Sequence, residues 1–450
     1  MKILFVSIHF GPPFQRDLMK ALTARGHELS FYSAGLTNLS GRLALQWKKR
    51  EGRIEARLLN SPVVPASSMD PAVQDGGAAV DALTEQVLDR VKPDLVHVHE
   101  LSGHGLSLFD VLKRRAIPYV VSIHNFWTLC PQMNLIDAEG SVCRDFEGGV
   151  RCMRCRWLPD AGSRTGVERV KSSLAATPLF KPLRRMRQTA RRLMVRRGSV
   201  SPVGWSAPRF TAEAFARRRA HAVDGLNGAR AIHAMSSRSA TVLEALGVRR
   251  DRIRIAPISL FSLDTLEPAK RGGVSRPLTF GYRGSLSYLK GVHLLLSAFS
   301  KLDQTKARLL IYGSGEPSYE LGLRAMATGL NVEFRGEYDA ARLPEINAGI
   351  DVGIVPSLCD ETFCLTGFEF LRSGSPVIAT EMGGMIDYVR DGVNGWLVPP
   401  RDVDALASVM QRLVDSPADI DALRVSVPSP SMNDVVDSML DLYREAIANG

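Results

Sequence analysis

The sequence predicts an α/β protein made of two successive doubly wound domains, each a parallel sheet with helices on both faces. Three observations carry this. Apolar runs of strand length alternate with segments whose apolar residues recur at helical spacing. The alternation breaks at a polar stretch punctuated by Pro268, Gly272, Gly273 and Pro277, then starts again. The 450 residues also exceed what one hydrophobic core usually covers.

In the first half, strands are expected over 2–8, 28–32, 94–98, 119–123, 231–235 and 253–256, with helices over 17–25, 80–91, 105–114 and 239–246. Val80, Leu83, Val87, Leu88 and Val91 illustrate the helical period. The apolar run at the N-terminus stops at His9 with no small-residue cleavage site after it, and reads as a buried strand in place of a secretion signal. In the second half, strands are expected over 278–282, 308–312, 332–335, 351–355 and 377–379. The helices between and after them fall over 290–302, 319–329, 342–348, 365–372 and 403–414. The resulting domains are 1–265, with Cys-rich and basic insertions over about 130–225, a linker at 266–277, a second domain at 278–430, and a helix in 431–450.

Composition is that of a soluble protein, 45% hydrophobic and 23% charged, and no apolar run approaches the roughly 20 residues that span a bilayer. A cytoplasmic chain is expected. The formal charge of +10 is unevenly placed: residues 169–212 hold eleven Lys or Arg and no acidic residue. Within 181–197, Leu183, Met186, Leu193 and Met194 sit among eight cations, a composition suited to lying on the anionic inner face of a membrane. Trp205 and Phe210 lie nearby, but no nucleic-acid motif accompanies them and no nucleic-acid partner is expected. Four of the six cysteines, Cys130, Cys143, Cys152 and Cys155, are spaced like ligands and end in a CxxC. In a reducing compartment the choices are a structural zinc, an iron–sulfur cluster, or reduced thiols.

The densest signal runs from Val355 to Pro400. Glu361 falls just past a buried strand, and Glu369 sits on the helix that follows, which starts near Thr366 and Gly367. In open α/β sheets ligands bind outside the carboxyl ends of the strands, and a helix N-terminus there suits a diphosphate. One carboxylate can accept hydrogen bonds from sugar hydroxyls and the other can hold a ribose diol.

Glu361-x7-Glu369, followed by Gly374-Ser375-Pro376-Val377 and Gly383-Gly384, resembles the donor-site signature of the family-4 retaining glycosyltransferases. The resemblance implies the GT-B fold: two Rossmann-like domains with a C-terminal helix, here 433–448, returning to the first. It also implies transfer of a sugar from a nucleotide-sugar donor, with retention, to a saccharide or lipid-linked acceptor in cell-surface polysaccharide or glycolipid synthesis. Glu361 would hold the transferred sugar and Glu369 the ribose, with Thr366 and Gly367 meeting the phosphates through their backbone. Lys290 matches the lysine of the family's basic pair. Its arginine would fall at Ser285, and Arg283 is the nearby cation. Gly315, in Tyr312-Gly313-Ser314-Gly315, resembles the glycine turn near the base, as does Arg335-Gly336-Glu337. His124 matches a histidine placed near the donor sugar, with Asn125 in place of the usual aspartate. Gly11-Pro12-Pro13 stands where a Gly-Gly turn is common. No catalytic metal is expected, since Lys290 and the helix start supply the charge. The competing reading is a catalytically silent GT-B scaffold that binds membrane or nucleic acid through its basic segment.

Overall fold

The computed structural model describes residues 1–8, 11–50, 52–63, 70–137, 140–155, 210–268, 277–423 and 430–448. The basic stretch at 181–197 and linker positions 269–276 lie outside the described residues. The described residues form two compact units. The first comprises residues up to 155 together with 210–260 and 430–448; the second comprises 261–423.

The strands of the first unit are β1 (Lys2–Ile8), β2 (Glu28–Leu36), β3 (Ala44–Arg50), β4 (Arg53–Leu59), β5 (Leu95–Val98), β6 (Tyr119–Ser122), β7 (Ala231–Ala234) and β8 (Ile253–Ile255). They lie in the order β3–β4–β2–β1–β5–β6–β7–β8, all neighbours parallel except the β3–β4 hairpin. Residues Ile3 to Ser7 of β1 and all of β5, β6 and β7 are buried, the signature of strands covered on both faces. The Ala78–Val91 helix turns Val80, Thr84, Val87, Leu88 and Val91 to the core. The Ala212–Gly228 helix starts where the Thr211 side chain accepts from Ala214 N–H. That helix falls partly inside the expected irregular insertion; three consecutive arginines, Arg217 to Arg219, dilute its apolar stripe. β3 and β4 were absent from the sequence reading because β3, Ala-Leu-Gln-Trp-Lys-Lys-Arg, is largely exposed and lacks a strand's alternation.

The second unit carries β9 (Leu278–Arg283), β10 (Ala307–Tyr312), β11 (Val332–Gly336), β12 (Val352–Val355), β13 (Val377–Thr380) and β14 (Gly395–Val398). All are parallel, in the order β11–β10–β9–β12–β13–β14. Phe280, Leu296, Phe299, Ile354, Trp396 and Met410 belong to its core. Strand order reverses between β9 and β12 here, and between β1 and β5 in the first unit, so each sheet opens a ligand crevice at the carboxyl ends of those strands.

The closing helix, Met432–Ala448, belongs to the first unit, where it buries Val435, Val436, Met439, Leu440 and Tyr443 and packs on the Pro13–Ala24 helix. Arg25 pairs with Asp437, and Arg254 with Glu445 at 2.5 Å. Tyr443 is fully buried, its hydroxyl 2.6 Å from His97 Nδ1. Tyr443→Phe leaves that ring nitrogen buried without its partner, so a loss of about 1–3 kcal/mol is expected. Urea unfolding checks this; an unchanged midpoint would mean that the bond contributes nothing.

Candidate active site

In the second unit, the loops leaving β9 and β12 meet at the switch point. Leu358 N–H donates to the Leu289 carbonyl at 2.8 Å, and Lys290 Nζ lies 2.7 Å from Glu361 Oε2. Ser357 Oγ donates to the other Glu361 oxygen. Burial pushes the Glu361 carboxyl up, but the Lys290 charge and the hydrogen bonds from Lys290 and Ser357 outweigh it, holding the group below its usual value. Burial also works against the Lys290 cation, and Glu361 more than restores it, so the amine titrates above its usual range. Gly383 and Gly384 hold this loop from behind. A Cβ on Gly383 would come within 2.5 Å of Glu361 N, and one on Gly384 within 2.7 Å of Phe363 Cα. The sequence signature Gly-Gly is thus a requirement for close backbone approach.

Thr366 and Gly367 begin the Leu365–Arg372 helix, whose preceding residue, Cys364, is left-handed (φ 66°) and makes no side-chain cap. Its first-turn N–H groups have no intrahelical partner and carry the positive end of the helix dipole. Gly367 packs under Tyr388, whose hydroxyl donates to the Cys364 carbonyl at 2.7 Å.

Arg283, which the sequence left open as a second phosphate cation, faces a carboxylate. Its side chain is 0% exposed, its Nη1 is 2.9 Å from Glu369 Oε2, and its guanidinium lies 4.3 Å from the Phe370 ring centroid. It is committed to orienting Glu369, whose side chain is 13% exposed. Lys290, 31% exposed, is the cation of the two that keeps contact with solvent. Ser285 is exposed in the loop after β9, and its carbonyl accepts from Tyr282 Oη. Gly315 bridges to Leu286 beside it, while Ser314 Oγ donates to Glu337, so both expected glycine turns lie at this edge. Ser357 and Tyr388 were missed by sequence reasoning, because a serine in a loop and a tyrosine ending the four-residue Met385–Tyr388 helix carry no pattern of their own.

In the first unit the corresponding edge holds histidines. His124, just after β6, shares a 2.7 Å hydrogen bond with His99 Nδ1, and the two rings stack 5.0 Å apart. His97 Nε2 lies 2.8 Å from Ser122 Oγ, which lies 3.0 Å from His233 Nδ1. Asn125 donates to buried Glu100, a partner that sequence reasoning missed. Gly11, left-handed at φ 74°, closes the turn after β1, and a Cβ there would strike the Gln15 side chain. The four cysteines also belong to this unit, as free thiols lining one small cavity. Among the described residues no three His, Cys, Asp or Glu side chains stand at metal-binding distances.

A model described as glycosyl transferases group 1 matches residues 277–416, and one described as Glycosyltransferase Family 4 matches residues 14–142. Between them they cover more than half of the chain. The chain belongs to glycosyltransferase family 4. Among this family's members, the D-inositol 3-phosphate glycosyltransferase 1 of Catenulispora acidiphila is 33% identical over 186 residues, covering 38% of this chain and 44% of that one. The MMP alpha-(1->4)-mannosyltransferase of Mycolicibacterium hassiacum is 30% identical over 232 residues, covering 48% and 54%. The chain spans roughly a third to a half of the length of the curated relatives it matches. Sucrose-phosphate synthase from Thermosynechococcus elongatus superposes with a TM-score of 0.63 at 16% identity, covering 100% of both chains. Anabaena HepE, solved with UDP and glucose, gives 0.57 at 15% identity, covering 99% of this chain and 97% of that one. At these identities the likeness is one of fold, the GT-B fold.

The buried histidines make acid stability a direct readout. Burial lowers His124 to about 3 and His233 and His104 to about 4, and His97 and His99 well below the usual value. The unfolded chain binds these protons near the ordinary value of about 6.5, so stability rises with pH between about 4 and 6.5 and is lost on acidification. His221, raised mainly by its hydrogen bond to Asp75, works the other way. The melting temperature is expected to fall steadily from about pH 7 to about pH 5; a flat profile would contradict neutral buried rings.

Proposed function

We propose that this chain is a retaining glycosyltransferase whose second unit binds a nucleotide-sugar donor. The supporting observation is the cluster at the β9/β12 switch point: Lys290 paired with Glu361, an uncapped helix start at Thr366, and Glu369 held by buried Arg283. Donor binding draws the Lys290 ammonium from Glu361 to the diphosphate, which frees the carboxylate to accept from the sugar's hydroxyls. Glu369 accepts from the ribose. As the bond from the anomeric carbon to the diphosphate oxygen breaks, its electron pair leaves with the diphosphate, the acceptor's hydroxyl oxygen bonds to that carbon, and the hydroxyl proton passes to the departing phosphate oxygen. Lys290 and the helix N–H groups stabilise that charge. Retention and an acceptor that is a saccharide or lipid-linked sugar rest on the family, and HepE's bound UDP and glucose set the first probes.

The test is a thermal-shift screen with UDP, GDP, ADP and their common sugars. A donor at one hundred times its dissociation constant is expected to add about 2.7 kcal/mol. Glu369→Ala, measured against its own unliganded baseline, is expected to lose the shift. Lys290→Ala is expected to lower turnover about 100-fold or more, read as nucleoside diphosphate release. No shift with any nucleotide would overturn the reading in favour of a silent scaffold.

The reading includes peripheral attachment to an anionic inner membrane face through residues 181–197. Each cation near such a surface contributes about 1 kcal/mol, and eight are present. Co-flotation with phosphatidylglycerol vesicles is expected, with release by high salt and none with phosphatidylcholine alone; equal recovery with both lipids would refute it. Among the described residues, no helix is long and apolar enough to cross a membrane.

A further inference from the structure

We propose that Cys130, Cys143, Cys152 and Cys155 are the four ligands of one structural zinc ion that fastens the segment after β6. Three separate pieces of backbone bring them together. Cys130 closes a turn, its N–H donating to the Phe126 carbonyl at 2.7 Å. Cys143 leaves the bridge between Ile136 and Val142, its N–H donating to the Leu135 carbonyl. Cys152 and Cys155 lie on the short Val150–Arg154 helix and its cap, with Cys155 N–H donating to the Cys152 carbonyl at 3.2 Å. All four line a single cavity of ≈ 10 Å³, closed by Leu135, Ile136 and Arg219 among others.

An iron–sulfur cluster would also require several irons and inorganic sulfide, whereas four thiolates alone complete the tetrahedral set of one zinc. Four thiolates on a tetrahedral site select zinc. With the cysteines as thiols, the sulfurs are not gathered to ligand distance. In the thiol form two of them point at carbonyls instead, Cys143 Sγ at Asp145 O (3.4 Å) and Cys155 Sγ at Ile136 O (4.0 Å). Deprotonation abolishes those contacts and leaves side-chain rotation free to turn the sulfurs inward.

Charge and backbone agree. Arg218 and Arg219, on the Ala212–Gly228 helix, are 2% and 8% exposed. Arg218 donates to the carbonyls of Trp127 and Thr128, and Arg219 lies over the Phe146 ring. Among the described residues neither has a carboxylate ion-pair partner, although buried charges require compensation. Zinc with four thiolates carries a net charge of −2, which answers the two guanidinium groups. The segment also holds three non-glycine residues in the left-handed region, Met133 (φ 75°), Leu135 (54°) and Glu147 (49°). Such conformations persist where something beyond the local backbone fixes them.

The experiment is elemental analysis of the full chain, expressed with added zinc and purified without chelator. One zinc per chain is expected for wild type and for Cys359→Ser. Less than about a tenth of that is expected for the Cys152→Ser/Cys155→Ser double variant. Should the double variant fail to fold, cobalt replaces zinc in the wild-type chain, and the thiolate charge-transfer and tetrahedral d–d bands report the same ligand set. Wild type without stoichiometric zinc, iron with acid-labile sulfide, or a disulfide between any two of these cysteines would each overturn the assignment.

Discussion

The ion pair between Lys290 and Glu361 joins two loops that leave neighbouring strands, and most of what the second unit offers a ligand is arranged around it. β9 and β12 are adjacent only because strand order reverses there. That reversal splits the crossover helices between the two faces and leaves a crevice instead of a packed seam. The loops from β9 and β12 then meet across the crevice, tied by Leu358 N–H to Leu289 O as well as by the pair itself. Gly291, left-handed at φ 68°, lets the first loop come against the Pro356 carbonyl, where any Cβ would collide. Sheet order thus sets where the chemistry sits, and small residues set how closely it is held.

Two carboxylates share this edge with opposite surroundings. Glu361 faces a cation that keeps contact with solvent, so its partner can be exchanged for an incoming anion. Glu369 is gripped by a guanidinium that is wholly buried and stacked on Phe370, an arrangement that fixes orientation and resists exchange. One pair is suited to move during binding and the other to stay.

Much of this was legible in the sequence because it is local. Strand runs, helical periods, the Glu361-x7-Glu369 spacing and the Gly383-Gly384 pair are all read within a few turns of chain. What escaped was long-range. Arg283 could be seen as a cation but its partner, 86 residues on, could not, so its role stayed open. His97 reads as one polar residue in a strand, yet its hydroxyl partner Tyr443 is 346 residues away. The β3–β4 hairpin escaped for another reason: β3 is largely exposed and ends in three cations, so only Leu45 and Trp47 mark its packed face. The cysteine cluster lay between these cases. Its spacing was visible, whereas the single cavity that all four cysteines line was not.

That hairpin bears on how the protein behaves in a crowded solution. β4 would otherwise end the first sheet with a row of unpaired backbone groups in line with the parallel strands behind it. β3 caps that row in the opposite direction and carries Lys48, Lys49 and Arg50, all exposed, on the new rim. A second copy approaching to extend the sheet would have to bring an identical row of positive charges against it. The border strand therefore acts as a guard against fibre-like stacking, a task that requires the charged and irregular composition which hid it.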